Sequence, residues 1–272
     1  MEQKTIGFVP TMGYLHEGHT RLMEESKKYA DILIVSIFVN PLQFGPNEDF
    51  DRYPRDEQRD QAIAEKHEVD YLFIPTVKEM YSGKEIVTIN VKDRTDVLCG
   101  KSRPNHFDGV ATVLTKLFHL TQADFAFFGL KDAQQVAIVK GLIDDFNFSV
   151  KLIAVATVRE DDGLAKSSRN IYLTKNERHE AAFLSKALLE GQKLMIDGEK
   201  NPDMIIEKVK KYIVEHTNGT IDYVDLLSFP TLSTVEVIDQ PIIIAIAVQF
   251  KKARLIDNII MNTDGTVPHE VV

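Results

Sequence analysis

The sequence predicts an α/β protein, with a Rossmann-like domain built on a parallel sheet and a smaller C-terminal α+β domain. Up to about residue 160, short apolar runs rich in β-branched residues alternate with stretches of helical spacing. This alternation is typical of parallel strands joined by right-handed helical crossovers. Beyond residue 170, charged amphipathic stretches precede three apolar runs, a grouping typical of α+β units. We therefore predict a first domain over residues 1–170 and a second over residues 171–272.

Each predicted element rests on the spacing of its apolar residues. The run ILIVSIFVN is continuous, as expected for a strand that is covered on both faces, and Leu22, Met23 and Ser26 mark one face of the first helix. The predicted strands of the first domain lie at residues 5–10, 32–40, 71–74, 124–128 and 152–158, and the later helices at 56–67, 109–120 and 132–144. In the second domain we predict helices at 175–197 and 202–216 and strands at 222–228, 242–250 and 253–260.

Composition argues against several classes of protein. Lys+Arg 32 against Asp+Glu 41 gives a net charge of −9 without any basic block, so nucleic acid is not an expected partner. The longest apolar run, residues 241–250, is about half of the roughly 20 residues that a membrane span needs. The first residues, MEQKTIGFVP, do not have the pattern of a signal peptide. We expect a cytoplasmic protein whose single cysteine, Cys99, is a packed thiol.

Polar segments follow four of the predicted strands. They are PTMGYLHEGH, NPLQFG, FGLKDAQQ and REDDGLAKSSRN. The carboxyl ends of parallel strands meet at one edge of a sheet, where ligands bind beside a topological switch point. We therefore expect these segments to form one site.

The stretch GYLHEGHT fits the phosphate-loop pattern G-x-x-x-x-G-K-[ST], except that His19 replaces the lysine. Gly13 and Gly18 permit a tight turn and exposed backbone N–H groups that attract anions. His16 and His19, three residues apart, can both bind phosphate oxygens and supply a proton near neutral pH. Two other interpretations stay open: His19 as a core histidine, and zinc, although the zinc motif HExxH has a different spacing. Glu17 is expected as an exposed first-turn carboxylate.

Two later segments add cations at the ends of strands. Lys131 in FGLKDAQQ lies at an expected helix start, where it can stabilise negative charge on a phosphate. Gln134 and Gln135 offer amides suited to carboxylate and hydroxyl groups. The segment AKSSRN places two cations and two hydroxyls in one loop, which can close over a polyphosphate. Taken alone, each segment has a more usual explanation, an exposed lysine for the first and a polar interdomain turn for the second.

The loop GYLHEGHT resembles the HxGH signature of the nucleotidylyltransferase and class I aminoacyl-tRNA synthetase superfamily, and AKSSRN resembles its KMSKS loop. Six segments together resemble the pantothenate synthetase (pantoate–β-alanine ligase) family in the family's order. They are PTMGYLHEGH, VSIFVNPLQFGPNEDFDRYPR, SRPNHFDGVATVLTKLF, FGLKDAQQ, DGLAKSSRN and ARLIDN. The resemblance implies a two-step reaction, in which pantoate and ATP give pantoyl adenylate and pyrophosphate, and β-alanine then releases pantothenate and AMP. It also implies Mg²⁺ with the phosphates, a homodimer, and a catalytic first domain with a C-terminal lid.

The resemblance assigns roles position by position. It implies His19 as proton donor, His16 as its partner on the phosphates and Lys131 near the α-phosphate. Pantoate and β-alanine are expected at Gln43, Gln135 and Asn40, with Arg103 as a further cation and no protein ligands for a metal. The positions expected to bind ATP are Met12, Gly13, Tyr14, Leu15, His16, Glu17, Gly18, His19, Gly129, Leu130, Lys131, Asp132, Val158, Lys166, Ser167, Ser168 and Arg169.

Three positions depart from the pattern common in the family. Leu130 and Ala133 stand where many members have an acidic and an aromatic residue, and Lys166 stands where many have an apolar one. We expect the phosphate roles to persist with altered affinity. Two other functions stay open on the sequence: an HxGH nucleotidylyltransferase acting on a phosphorylated small molecule, and a nucleotide-binding protein without catalysis.

Overall fold

The computed structural model describes residues 4–46, 48, 50–84, 86–269 and 271. The chain divides by its contacts into two compact units. The first comprises residues 1–96, 100–130 and 138–156, and the second comprises residues 97–99, 131–137 and 157–272. The second unit therefore takes two short segments from within the sequence range of the first.

Up to residue 155, helices separate successive strands, as the sequence predicts. They are β1 (Ile6–Thr11), α1 (Glu17–Ser26), β2 (Ile32–Ile37), α2 (Glu57–Lys66), β3 (Tyr71–Phe73), α3 (Val77–Met80), α4 (Leu98–Ser102), α5 (His106–Thr121), β4 (Phe125–Gly129), α6 (Ala133–Asp145) and β5 (Lys151–Val155). The later elements are α7 (Lys175–Ala181), α8 (Phe183–Ile196), α9 (Pro202–His216), β6 (Thr220–Ser228), β7 (Ile242–Gln249) and β8 (Arg254–Met261).

The sheet of the first unit is parallel and has the strand order β3-β2-β1-β4-β5. The chain moves from β1 towards one edge through β2 and β3, and towards the other edge through β4 and β5. The switch point therefore lies at the carboxyl ends of β1 and β4, where such sheets bind ligands. Val9, Val35 and Phe127 of the central strands are fully buried in its core. This confirms the predicted Rossmann-like fold.

The second unit contains a three-stranded antiparallel sheet in the order β6-β7-β8. Helices α8 and α9 cover one face, because Leu188, Val209 and Ile244 belong to one buried cluster. On the unit's central strand every residue from Ile242 to Val248 is buried. Such a fully apolar strand is expected where a sheet is covered on both faces. This confirms the predicted α+β character.

Three details differ from the sequence-based expectation. The helix expected over 175–197 is two helices that meet at Ala182, whose carbonyl oxygen accepts a hydrogen bond from Ser185 Oγ at 3.2 Å. The short helices α3 and α4 were not predicted, because four or five residues carry too little periodicity. The contacts divide after Ala156, whereas the change of pattern lies near 170. The boundary at 170 stays a prediction.

Candidate active site

A tight turn after β1 leads into the HxGH motif at the start of α1. Gly13 has φ +82° and Tyr14 has φ +50°, so two consecutive residues adopt the left-handed conformation. A Cβ on Gly13 would lie 2.9 Å from Ile37 and 3.0 Å from Asp60. Thr11 supports the turn, because its Oγ1 donates to Ser36 O at 2.7 Å and accepts from the Gly13 amide at 3.1 Å. The glycine predicted to permit a tight turn does so.

A buried carboxylate from α2 holds the same turn. The backbone amides of Tyr14 and Leu15 each donate to the Asp60 carboxylate at 2.7 Å, and Asp60 is 1% exposed. Burial raises the pKa of Asp60, although the two amide hydrogen bonds and Arg59 act in the opposite direction. The Arg59 guanidinium also lies 4.9 Å from the centre of the Tyr14 ring. The loop before the histidines is thus attached to a second helix through the backbone amides of Tyr14 and Leu15.

His16 and His19 cap the start of α1 reciprocally. His16 Nδ1 accepts from the Gly18 amide at 3.1 Å, and His19 Nδ1 accepts from the His16 amide at 3.2 Å. This is a capping box in which both capping side chains are imidazoles. A backbone N–H can only donate, so each neutral ring carries its proton on Nε2. The two rings lie 4.1 Å apart between centroids, with both proton-bearing edges turned away from the helix backbone.

Gly18 is required by the ring of His16. A Cβ at this position would lie 2.7 Å from His16 Cε1 and 2.9 Å from Nδ1. Real Cβ atoms essentially never approach so closely, so a side chain here would displace the ring from its cap. The spacing H-x-G-H therefore follows from local packing: one histidine folds over the glycine, and the second lies one turn later. Glu17 between them is exposed in the first turn, as predicted.

Gln43 and Asn40, predicted to bind pantoate, belong to one buried amide network in the first unit. Asn40 Nδ2 donates to Gln43 Oε1 at 3.1 Å and to Gly109 O at 3.0 Å. Its Oδ1 accepts from the Leu42 amide at 3.2 Å and from Tyr81 Oη at 2.8 Å. Asn40 is therefore fully hydrogen-bonded and orients the glutamine. Gln43 Nε2 lies 3.2 Å from the sulfur of Met12, which brings this network against the HxGH turn.

Arg103, expected as a further cation, is held in an ion pair. Its Nε lies 3.1 and 3.0 Å from the two carboxylate oxygens of Glu48, and its Nη2 donates to Gln43 O at 3.3 Å. His106 Nδ1 lies 2.7 Å from the same carbonyl oxygen. Arg103 Nη1 donates to His106 Nε2 at 3.1 Å, so the imidazole proton resides on Nδ1 and is donated to Gln43 O. Arg103 thus positions the backbone of Gln43.

Lys131 and Asp132 lie in a 3₁₀ turn before α6. Lys131 Nζ is 4.0 Å from an oxygen of Asp132, and the lysine side chain is 19% exposed whereas the aspartate side chain is 55% exposed. Gly129 ends β4, and no described heavy atom lies within 4 Å of the position that its Cβ would take. Leu130, in place of the common acidic residue, follows directly and is half-buried. The backbone at the end of β4 is open to close approach by a ligand.

The adjacent glutamines of α6 have different surroundings. Gln134 is buried, accepts from the Cys99 amide at 2.9 Å and donates to Val97 O at 2.9 Å. It therefore fastens the segment 97–99, in which Cys99 Sγ packs 3.3 Å from Tyr223 Oη. Gln135 is half-buried and makes neither of these contacts. The sequence assigned similar chemistry to both, and the structure separates them.

The segment predicted to contact the outer phosphates follows a hairpin of the second unit. The backbone amide of Lys166 donates to Val158 O at 2.9 Å, and Arg159 forms an antiparallel β-bridge with Ala165 across the hairpin. Lys166 Nζ lies 3.3 Å from Glu160. Ser167 caps the 3₁₀ turn over Ser168–Tyr172 by accepting from the Arg169 amide at 3.3 Å. The extra cation is thus paired with a carboxylate of its own hairpin.

Within each unit, the structure brings predicted site residues together. In the first unit, Met12 connects the HxGH loop to Gln43. In the second, β8 contacts both the turn at Lys131 and the hairpin that leads into the loop Lys166–Arg169. Sequence reasoning missed Asp60 and His106. A signal existed for Asp60, because an acidic residue stands on the same helical face as Ile63 and Ala64. The segment SRPNHF marked His106 only as part of a motif.

Neither a cluster of metal-ligating side chains nor a membrane-spanning helix is present among the described residues. Within the part of the chain that the structure describes, no three His, Cys, Asp or Glu side chains group as metal ligands. No helix of the described residues is long and apolar enough to cross a membrane.

Residues 1–260 match the sequence profile of the family described as pantoate-beta-alanine ligase. The chain belongs to this family. Pantothenate synthetase from Geobacillus sp. (strain WCH70) is 58% identical over 262 residues, which cover 96% of this chain and 93% of the relative. The enzyme of the same name from Bacillus velezensis is 57% identical over 263 residues, covering 97% and 92% of the two chains.

Solved structures of the pantoate–β-alanine ligase family share the fold. Pantothenate synthetase from Thermus thermophilus is 41% identical with a TM-score of 0.90, covering 94% of this chain and 92% of that one. Pantoate-beta-alanine ligase from Francisella tularensis, solved in complex with beta-gamma ATP and beta-alanine, is 34% identical with a TM-score of 0.76. That match covers 97% of this chain and 92% of the ligase.

Proposed function

We propose that this chain catalyses the ATP-dependent condensation of (R)-pantoate with β-alanine to pantothenate, AMP and pyrophosphate through pantoyl adenylate. The observation that carries the proposal is the HxGH loop of a pantoate–β-alanine ligase family member, in which a backbone amide donates to Nδ1 of each histidine, so that each neutral imidazole carries its proton on Nε2. The structure of the F. tularensis ligase in complex with beta-gamma ATP and beta-alanine supports ATP and β-alanine as substrates. A carboxylate is a poor electrophile, and adenylation makes its acyl carbon reactive.

In the first half-reaction, an oxygen of the pantoate carboxylate attacks the α-phosphorus of ATP, and the bond to the β-phosphate oxygen breaks. Negative charge grows on the phosphate oxygens as pyrophosphate leaves. His19 Nε2–H donates a hydrogen bond to this charge, and His16 assists on the phosphates. Because Nδ1 of each ring is engaged by a backbone amide, the donors are oriented before the substrate binds, which is the arrangement that favours the transition state.

The second unit supplies the cations in this proposal. Lys131 acts near the α-phosphate, and Ser167, Ser168 and Arg169 act on the outer phosphates. Lys166 exchanges its Glu160 partner for a phosphate oxygen, so that one charge-assisted hydrogen bond replaces another. The remaining nucleotide contacts are the turn from Met12 to Gly18, Gly129, Leu130, Asp132 and Val158.

Pantoate is bound in the proposal by Gln43 and Gln135, with Asn40 orienting Gln43. Primary amides present both donors and acceptors, which suits a substrate with hydroxyl and carboxylate groups. In the second half-reaction, the β-alanine amine attacks the acyl carbon of pantoyl adenylate, forming the amide bond while AMP departs with the electron pair of the acyl–oxygen bond.

Three further features belong to the proposal. Mg²⁺ enters as part of the substrate MgATP, because it takes phosphate oxygens and water and needs few protein ligands. The chain works in the cytoplasm, where ATP is supplied, and forms a homodimer, which sedimentation at several protein concentrations will test. The domain limits 1–170 and 171–272, with a C-terminal lid, stay predictions.

The deciding experiment is pyrophosphate release from MgATP with pantoate, with and without β-alanine, followed by identification of the products by mass. With pantoate alone, we expect pyrophosphate release to stop after about one equivalent per active site. Pantothenate and AMP should form continuously only when all three substrates are present. A persistent AMP-linked diphosphate would instead indicate a nucleotidylyltransferase. ATP binding without pyrophosphate release under any combination would indicate a non-catalytic nucleotide-binding protein.

A further inference from the structure

The segment ARLIDN near the C-terminus has no role in the chemistry described so far. It forms most of β8, the edge strand of the antiparallel sheet in the second unit. Two of its residues, Asp257 and Asn258, are polar in a strand whose neighbours Leu255 and Ile260 are buried. Asn258 contacts Lys131, which the proposed function assigns to ATP, and Asp257 contacts Arg159 in the hairpin that leads into the loop Lys166–Arg169.

Asp257 binds the hairpin that precedes Lys166–Arg169. Its carboxylate is 3% exposed and accepts from Arg159 Nη1 at 2.6 Å and from Nη2 at 2.9 Å. Arg159 Nη1 also donates to Gly163 O at 3.0 Å. The guanidinium therefore binds β8 through a bidentate contact with Asp257, and it binds the turn of its own hairpin through Gly163 O. The hairpin begins at Val158 and ends at Lys166, so this contact fixes where the phosphate loop starts.

Asn258 binds the other segment. Its Nδ2 donates to the backbone oxygen of Lys131 at 2.9 Å. The contact is to the main chain, so it fixes the position of the 3₁₀ turn and leaves the lysine ammonium available to a ligand. The backbone N–H of Asn258 in turn donates to Asp257 Oδ1 at 2.8 Å, which links the two contacts directly.

The strand geometry explains why neighbouring residues reach different segments. Successive side chains of a strand point to opposite faces. Asp257 shares a face with Leu255 and Ile259, which pack in the helix-covered core. Asn258 lies on the opposite face, with Arg254 and Ile256. One rigid strand thus holds the hairpin on one side and the Lys131 turn on the other.

We propose that Asp257 and Asn258 are positioning residues, which set the spacing between the Lys131 turn and the loop Lys166–Arg169 in the second unit. The inference rests on the proposed function for what these segments bind, but the positioning is a property of the fold. A buried ion pair is weak evidence for stability, since apolar residues often serve as well. The bidentate geometry of the Asp257–Arg159 pair, however, specifies one position for the hairpin. A catalytic group that is misplaced by about 1 Å can reduce a rate by roughly 100-fold.

The first test measures positioning without any chemistry. Hydrogen exchange is followed in the full chain for Asn258→Ala and Asp257→Asn. In Asn258→Ala we expect exchange at least 10-fold faster across residues 131–135. In Asp257→Asn we expect the same increase at the Glu160 and Lys166 amides, which donate to Leu164 O and Val158 O. Amides of α9 serve as an internal reference. Unchanged exchange in both segments would overturn the proposal, whether or not the chain turns over.

The second test separates positioning from general destabilisation. We expect both variants to lower the rate of pantoyl adenylate formation by roughly 10-fold to 100-fold. In Asp257→Asn, the reaction of added pantoyl adenylate with β-alanine, which needs no outer phosphates, should stay within about threefold. A parallel fall in both half-reactions of this variant would mean a structural role only, and adenylation within threefold of the unsubstituted rate in both variants would also refute the proposal.

Two matched controls isolate the contacts. Asn262→Ala removes a side-chain hydrogen bond to Thr266 Oγ1 just after β8, without touching either segment. Glu190→Gln neutralises a carboxylate that pairs with Lys208 at 2.9 Å between α8 and α9. Both controls should preserve exchange and adenylation. If the unsubstituted chain releases no pyrophosphate with all substrates, the proposed function fails, and the exchange measurement alone decides the positioning.

Discussion

The carboxylate of Asp60 lies 2.7 Å from the backbone nitrogen of Leu15, 45 residues earlier in the chain. The second oxygen lies equally close to the nitrogen of Tyr14. A side chain of α2 thereby satisfies two consecutive amides of the loop that leads to His16. Because unpaired buried donors are costly, this contact forces the loop into one conformation.

Asp60→Asn tests that constraint. The amide offers one acceptor oxygen, so one of the two backbone donors loses its partner, at a cost of roughly 1–3 kcal/mol in the free energy of unfolding. We expect turnover to fall by roughly 10-fold to 100-fold, because the histidines lose their fixed starting position. Urea unfolding and pyrophosphate release measure the two effects. The control is Asp56→Asn, at the exposed N-cap of the same helix. It should change the free energy of unfolding by no more than about 0.5 kcal/mol and turnover by no more than about twofold.

The reciprocal cap allows the two roles of the histidines to be separated. Glutamine is a normal partner at the third position of a capping box, and asparagine is a favourable N-cap residue. We therefore expect His19→Gln and His16→Asn to keep the unfolding free energy within about 1 kcal/mol while adenylation falls by roughly 100-fold to 10,000-fold for His19→Gln. Rapid-quench assays of pyrophosphate release measure the rate. Wild-type-like turnover in His19→Gln would remove that residue from the mechanism.

Lys131→Ala should reduce adenylation by roughly 100-fold to 1,000-fold with little change in stability. Among the described residues, its ammonium forms an ion pair only with the exposed carboxylate of Asp132, at 4.0 Å. Little folding energy is therefore lost. Thermal unfolding and single-turnover formation of pantoyl adenylate are the measurements. Lys140→Ala is the control on the following helix, since it breaks the exposed pair with Asp144. Equal rates in the two variants would contradict the assignment.

Gln135→Ala and Gln134→Ala form a pair with opposite expected outcomes. Removing Gln135 should raise the KM for pantoate by roughly 10-fold with stability unchanged, because its amide is proposed to bind substrate. Removing Gln134 leaves the Cys99 amide and Val97 carbonyl without their buried partner and should lower the unfolding free energy by roughly 1–3 kcal/mol. Steady-state kinetics at varied pantoate and urea titrations distinguish them. Unchanged pantoate dependence in Gln135→Ala would count against the proposed pocket.

The pair Glu48–Arg103 predicts a pH dependence of stability. Burial acts to raise the pKa of Glu48, but hydrogen bonds and the charge of Arg103 outweigh it, so the pKa lies below the ordinary value of 4.5. A depressed acid pKa contributes stability that is complete above pH 4.5 and is lost as pH falls through the folded-state value. We expect Glu48→Gln to cost about 1–2 kcal/mol at pH 7.

Urea titrations of the Glu48→Gln variant and the unsubstituted chain at several pH values measure this difference. It should shrink as pH falls below 4.5, because the carboxyl then becomes neutral in both states. A difference that is the same at pH 7 and at the lowest pH where the protein stays folded would contradict the role of the charge. Glu65→Gln, an exposed neutralisation on α2, is the control.

The sequence by itself determined the fold class and the motif positions. Apolar periodicity is a local property, so the strands of the parallel sheet and the helix pattern around it were predicted to within a few residues. The HxGH loop was recognisable because His16, Gly18 and His19 interact within one turn of helix. The motifs also sufficed to identify the family, which the comparisons confirmed.

Only the tertiary structure decided which side chains support the site. Gln134 and Gln135 are neighbours with the same chemistry, and they differ because only Gln134 reaches the segment 97–99. Arg103 lies in a suggestive motif but pairs with Glu48, which is 55 residues away. Asp60, Asp257 and Asn258 act through partners that lie 45, 98 and 127 residues away. The apolar helical face around Asp60 indicates that this residue is buried, but no local pattern identifies partners at such separations, because folding alone brings them together.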